Sequence, residues 1–296
     1  MYHHVSPNPG DDVWTVSRDE FRRQIAELKA AGFETVRPGD LRRGGRLVSR
    51  LPDKPLAITF DDGLLSALTE AEPVLKAAGF HATVYLITGF VGESPSSRLQ
   101  YRNYDCLSWE EIRAMHSRGT ISFGIHSHSH SGDPNRQALE VGECRNILRR
   151  NGGMDSSDYC YPYGSAPDLL VRSVSNAGYR TAMVCEDLLF FPSAESDLFR
   201  IPRVSVYGGS HNFSVLADPS VSNGSFSATA ANHGVPLPVR AVLRHLPSGR
   251  SWPLQPSERL GPEPQRWIWA HLPEPMSSND LSVEIWEQNG LFRYHP

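Results

Sequence analysis

Over its first 210 residues the chain repeats one pattern: a short, almost continuously apolar, β-prone run, then a segment of helical periodicity. The runs are 55–60, 82–87, 121–125, 158–162, 180–185 and 201–207; the helical segments are 17–32, 64–79, 108–119, 135–150 and 166–178. Ser17 with Glu20 and Ser108 with Glu111 have capping-box spacing, and Gly32 and Gly119 close the same two segments. Phe21, Ile25 and Leu28 fall on one face of the first. A strand with no polar face must be covered on both sides, as in a parallel sheet clothed by helices. Six or seven such units in this length predict a barrel rather than a small open sheet.

After residue 218 the texture changes. "ADPSVSNGS" reads as a linker, and "VRAVLRHL", "RWIWAHL" and "LSVEIWEQ" beyond it alternate without a helical period. The expected organisation is therefore a barrel over 1–218 and a small β-sandwich-like accessory domain over 219–296. A net charge of −4 argues against a broad basic surface for nucleic acid. No apolar run approaches the ~18 residues of a membrane span. The four cysteines form no CxxC pair and read as reduced thiols or at most one bridge. The opening "MYHHV" has no charged-then-apolar leader, so the expectation is a cytoplasmic protein, or an exported one if the chain is a trimmed mature form.

Two of the apolar runs end in clusters that need explaining. Leu56 to Phe60 stops at Asp61-Asp62-Gly63, where two adjacent carboxylates at a strand end repel one another and resist desolvation. A bound cation relieves both costs. Ile121, Phe123 and Ile125 lead into His126-Ser127-His128-Ser129-His130. Imidazoles four apart, His126 and His130, converge on one ion if the chain turns helically there, leaving His128 to point elsewhere. Two imidazoles and a carboxylate form a facial ligand set with open positions, and the second carboxylate remains as a base. Strand ends of a parallel barrel share one rim, so the two clusters can meet. A third strand end, "YCYPYGS" at 159–165, can aim a backbone N–H into the mouth and supply an aromatic wall.

"TFDDG" (59–63), "HSHSH" (126–130) and "YPYG" (161–164) follow the order and spacing of the NodB-homology polysaccharide deacetylases, carbohydrate esterase family four. With "MYHHVSP", "LKAAGFETV", "TGFVG" and "LSWEEI", residues 1–210 resemble the bacterial branch that acts on cell-surface glycans. The resemblance implies a distorted, TIM-like (β/α)7 barrel and one divalent ion, zinc with cobalt or nickel as alternatives. It implies Asp62, His126 and His130 as ligands, Asp61 as general base and the Tyr163 N–H as an oxyanion donor. The implied reaction removes N-acetyl groups from an N-acetylated glycan or sugar intermediate. A deformylase or O-deacetylase on the same scaffold, or a catalytically idle carbohydrate-binding protein, are the alternatives. The intact Asp61 favours an enzyme, because a binding module needs no free base beside a metal.

The chain departs from the family pattern in three places. Cys160 stands where many members have the arginine that holds the catalytic aspartate, and Arg203 in "FRIPRVSV" is the expected substitute. The Asp-rich fourth motif is not evident in "VCEDLLFF". The late Leu-x-His motif, source of the general acid, is missing before the linker. His245 in "VLRHL" falls in the accessory domain, which leaves His3, at the end of the first strand, as the expected acid.

Overall fold

The computed structural model describes residues 1–206 and 208, except 11, 13, 44–45, 48–50, 186–189 and 191–195, with backbone alone for 42–43 and 46–47; of 209–296 it describes the backbone of seven strands. The chain divides into two compact units, Met1–Gly209 and Ser210–Pro296.

The first unit is built on five parallel strands: β1 (Thr59–Phe60), β2 (Ala82–Leu86), β3 (Ile121–Ile125), β4 (Asp158–Cys160) and β5 (Thr181–Met183). They lie side by side in chain order. Every crossover therefore steps one way, the winding of a barrel rather than of a doubly wound open sheet. Tyr2 bridges to Phe60 at one edge and Ile201 to Met183 at the other, both parallel. The Met1 nitrogen donates to Val204 O (2.7 Å) and the Val206 N–H to Met1 O (2.8 Å), drawing the two edges together. Seven segments thus curl into the (β/α)7 arrangement. Of the expected strand 201–207, the described residues 201–206 make one regular pairing, the bridge at Ile201, and residue 207 lies outside the described residues.

Side chains alternate along each strand. Val84, Leu86, Phe123 and Ile125 belong to the main core with Phe21 and Ile25, Leu75, Ile112, Val141 and Leu170. Tyr85, Cys160, Met183 and Ile201 form a separate cluster on the other face of the sheet. The Tyr85 ring fills so much of that face that a Cβ on Gly124 would lie 2.4 Å from it, so residue 124 must be glycine.

Among the described residues five α-helices accompany the strands: α1 (Arg18–Ala30), α2 (Glu72–Ala78), α3 (Trp109–Arg118), α4 (Pro134–Ile147) and α5 (Asp168–Asn176). The expected box at Ser108 is present in both halves. At Ser17 only half is made: Ser17 Oγ accepts from Glu20 N–H, while the Glu20 carboxylate turns to Arg23 and Gln24. The helix expected over 64–79 runs over 67–78, a wide π-helical turn at Ala67–Ala71 leading straight into α2, and α4 ends in another such turn at Leu148–Gly152. Among the described residues no helix is long and apolar enough to cross a membrane.

The second unit is antiparallel: β6 (Phe213–Ser222), β7 (Ser225–Asn232), β8 (Arg240–His245), β9 (Ser251–Arg259), β10 (Gln265–Trp269), β11 (Leu281–Glu287) and β12 (Gly290–Tyr294). Their spatial order is β6-β7-β10-β9-β8-β11-β12. The first half of β9 pairs with β8 and its second half with β10, so one strand serves two groups. The stretch read as a linker belongs to β6 and β7, and the division lies at 209/210 rather than 218/219. Its Ser, Asn and Pro content misled because β6 is an edge strand. Pro219 falls where the register slips between Ala217 and Ser220, a place where a missing N–H costs no ladder bond.

Candidate metal centre and active site

Every residue singled out in the barrel sequence follows a strand end. His3 follows Tyr2, Asp61 and Asp62 follow β1, His126 follows β3, Tyr163 follows β4 and Arg203 follows Ile201. They share the C-terminal rim.

Asp61 is buried, 1% exposed, and its N–H donates to Tyr2 O (2.9 Å). Arg203, equally enclosed, grips it with two parallel bonds, Nη1 to Oδ1 at 2.7 Å and Nη2 to Oδ2 at 2.9 Å. Arg203 Nε donates to Val184 O and Nη1 also to Thr59 Oγ1. The Cys160 thiol donates to Asp61 Oδ2 at 3.4 Å and lies 3.0 Å from Arg203 Nη2. The guanidinium that the third motif lacks thus reaches Asp61 from 43 residues further along the chain. Burial raises the Asp61 pKa, but the charge and hydrogen bonds of Arg203, with His126, outweigh it and hold the carboxyl well below the usual range. Asp61 is ionised, fixed and engaged on both oxygens.

Asp62, one residue on, has left-handed backbone (φ 69°) that turns its side chain away from Asp61. Its Oδ1 is 3.7 Å from both His126 Nε2 and His130 Nε2, and those two nitrogens are 3.2 Å apart. Four donors at about 2.1 Å around a tetrahedral ion are separated by about 3.4 Å. The triangle therefore has the size of one face of a metal's coordination shell, and the donor set suits zinc or its neighbours. Burial and the Asp61 charge push the Asp62 carboxyl up to about 7, a cost that a cation removes.

Both imidazoles present Nε2 because Nδ1 is occupied. His126 Nδ1 donates to Cys160 O (2.9 Å), and His130 Nδ1 is 2.9 Å from Tyr101 Oη. Burial lowers both histidine pKa values, that of His130 to about 3 with the help of His126, so both rings are neutral and ready to ligate. The spacing of four works without a helical turn. Ser127 (φ 63°) and His130 (φ 52°) are left-handed, and His130 N–H donates to Ser127 Oγ. His128 turns away, its Nδ1 3.0 Å from Thr88 Oγ1. Donor atoms of Asp61, His126 and Cys160 also cluster, but Asp61 is taken by Arg203 and burial pushes the Cys160 thiol far up, so that set has no free anion to offer.

Tyr163 (φ 58°) stands at the mouth, 59% exposed, its ring 4.7 Å from that of His130. In its turn Gly164 N–H donates to Tyr161 O and Ser165 N–H to Pro162 O; neither bond uses the Tyr163 N–H. His3 packs against Trp14 (4.4 Å between rings), and its buried Nδ1 has no partner among the described residues. Burial, Arg203 and His126 lower its pKa to about 4 against the opposing pull of Asp61. Cys185 in "VCEDLLFF" lies 3.6 Å from Arg203 Nη2, whereas Glu186 to Leu189 and Phe191 lie outside the described residues. His245 closes β8 in the second unit, and its side chain is outside the described residues.

Sequence reasoning missed the hairpin Gln100–Tyr101/Tyr104–Asp105. Its two-residue turn, Arg102 (φ 50°) and Asn103 (φ 68°), is left-handed at both positions. The signal was Asn103 between two tyrosines; Arg102 before it masked the turn. The hairpin sets Tyr101 on His130 and lays the Arg102 guanidinium over the Tyr101 ring.

Comparison with known proteins bears on the domain and its fold. Residues 49–182 match the polysaccharide deacetylase family model. Over 208 residues the chain is 26% identical to poly-beta-1,6-N-acetyl-D-glucosamine N-deacetylase of Staphylococcus aureus, covering 65% of this chain and 68% of that one. Among solved structures it is similar in fold to the Streptococcus pyogenes deacetylase PplD (TM-score 0.59, 22% identity, 70% of this chain and 90% of that). It is also similar to IcaB from Ammonifex degensii (TM-score 0.57, 24% identity, 69% and 89%). Residues 49–182 thus carry the polysaccharide deacetylase (NodB-homology) domain, and the barrel unit around them has the carbohydrate esterase family four fold.

Proposed function

We propose that the protein is a metal-dependent hydrolase that removes N-acetyl groups from a glycan, with N-acetylglucosamine polymers as the substrate class suggested by its relatives. The observation that carries this reading is an ionised, Arg203-clamped Asp61 directly beside three converging ligand atoms, those of Asp62, His126 and His130. A divalent ion held there, zinc by the chemistry of its donors, supplies a polarised acetamide carbonyl and a water of lowered pKa.

Asp61 accepts the proton of the attacking water through a lone pair that Arg203 leaves free. The Arg203 clamp makes Asp61 a weak base in its own right but keeps it charged and aligned. The Tyr163 N–H is the candidate donor to the oxygen on which negative charge develops. As the C–N bond breaks, the nitrogen needs a proton. His3 is neutral at pH 7, so it serves as a relay that takes up the proton Asp61 accepted from the water and passes it to the departing amine, which returns both groups to their starting state. Acetate and a free amine leave.

The test is Asp61→Asn, assayed for bound metal and for acetate release from N-acetylated glycan oligomers. Turnover should fall ~10²–10⁴-fold with the metal retained. Loss of metal along with turnover would make Asp61 a ligand. A wild-type protein that binds metal and glycan yet releases no acetate would be the idle binder instead.

A further inference from the structure

Beside the catalytic rim lies a groove of about 300 Å³, walled by residues 4–7, 65–70 and 100–105. Each wall continues from a site residue: 4–7 from His3, 65–70 from the Asp61-Asp62 turn, and 100–105 is the hairpin that sets Tyr101 on His130. Leu65 N–H donates to Asp105 O (2.7 Å) and Leu107 N–H to Gly63 O (2.9 Å), so groove wall and ligand loop form one hydrogen-bonded piece.

The lining has the chemistry of a sugar site. His4 and Tyr104 present a pair of tilted rings 4.3 Å apart, with the Tyr104 hydroxyl bound to Asp12 at 2.5 Å. Gln100 adds an amide, and two carboxylates contribute charge. Glu70 is paired with Arg18. Asp105 is exposed and accepts a neutral bond from Gln100 Nε2 at 2.9 Å, while the guanidinium in its field, that of Arg98, is paired with Glu111. The same hairpin carries the opposite charge towards the cleft: the Arg102 guanidinium lies over the Tyr101 ring, 5.5 Å from its centroid, and the Tyr101 hydroxyl is 2.9 Å from His130 Nδ1. The hairpin is thus electrostatically polar, cationic at the catalytic side and anionic at the groove.

We propose that this groove is a subsite for a free-amine sugar, a glucosaminyl residue of the polymer whose N-acetyl neighbour occupies the cleft. This rests on the N-deacetylase reading above, because that reaction turns a neutral acetamide into an ammonium. The ammonium is repelled beside Arg102 and attracted beside Asp105, so a processed sugar belongs in the groove and an unprocessed one at the metal. Partly deacetylated chain next to the point of attack then binds better than fully acetylated chain.

The test uses the full chain and two probes, a β-1,6-linked glucosamine tetramer and its fully N-acetylated counterpart, titrated by calorimetry against wild type, Asp105→Asn and Asp105→Lys. The amine tetramer should bind wild type and lose about two- to fivefold in affinity with Asp105→Asn, and more with Asp105→Lys. The acetylated tetramer should change less than twofold. Equal affinity of all three proteins for the amine, or a parallel loss for both tetramers, overturns the subsite. If amine binding depends on Asp105 but no acetate is released from the acetylated tetramer, the subsite stands and the deacetylase reading falls.

Discussion

Replacing Arg203 by methionine separates the two things its guanidinium does. In the fold it satisfies a fully buried carboxylate with two charge-assisted bonds and ties β1 to the chain after β5 through Thr59 Oγ1 and Val184 O. Removing one member of a buried, bonded pair typically costs about 3–5 kcal/mol, since the survivor remains desolvated. In the site, Asp61 loses the charge that overcomes its burial, so its pKa rises from far below the usual range to above it. The base is then present only at higher pH. The acidic limb of kcat/KM should move upward into the assayed range, whereas in wild type Asp61 stays ionised and contributes no limb there. Asp61→Asn should also destabilise, by stranding the buried guanidinium. The double variant Asp61→Asn/Arg203→Met should lose less than the sum of the singles, by up to about 3 kcal/mol, because neither partner is left alone. Urea unfolding gives the stabilities and acetate release against pH gives the limb. Single losses that add to the double within about 0.5 kcal/mol, with an unshifted pH profile, would refute the clamp.

Tyr101→Phe removes the hydroxyl that orients His130 while leaving the ring on Phe90 and His130, so metal affinity measured by chelator competition should fall ~10–100-fold with an unchanged melting temperature; unchanged affinity denies Tyr101 that role. Asp155, pulled down to about 2 mainly by Arg145 and Arg149 against the effect of burial, contributes stability that is present above the ordinary carboxylate pKa and lost as pH falls towards 2. Asp155→Asn should therefore lower stability at pH 7 by at most about 1 kcal/mol, the cluster being half exposed. The difference from wild type should vanish near pH 2, and one that persists there would have another cause.

The sequence revealed most where chemistry and local geometry coincide. Asp61-Asp62 and His126 to His130 stand out because charged and imidazole groups at the ends of apolar strands are expensive without a partner, and the helix caps of α3 are complete within four residues. Arg203 could be named as a stand-in for the residue at 160, but its reach to Asp61 depends on barrel closure, which no local pattern encodes. The hairpin over 100–105 was invisible because an arginine in left-handed backbone has no sequence signature; the tertiary bond from Tyr101 to His130 supports it. The supposed linker was misread because polar residues and a proline also suit the exposed margin of a sheet. The histidine turn was expected to be helical because spacing of four is most familiar there, yet two left-handed residues reach the same convergence.

Those left-handed residues have an evolutionary consequence. Asp62, Ser127, His130 and Tyr163 all hold a backbone conformation that costs a non-glycine residue on the order of 1 kcal/mol or more. Selection for robustness alone would push each of them towards glycine or asparagine, and each such step would weaken a ligand, the Ser127 Oγ that accepts from His130 N–H, or the ring at the mouth. A lineage drifting under relaxed selection for activity should therefore lose these four positions early and grow hardier as it does so. Exposed positions with ordinary backbone, such as Leu139, exert no such pull. The turn geometry makes this rim a place where persistence of the residue type itself records continuing use.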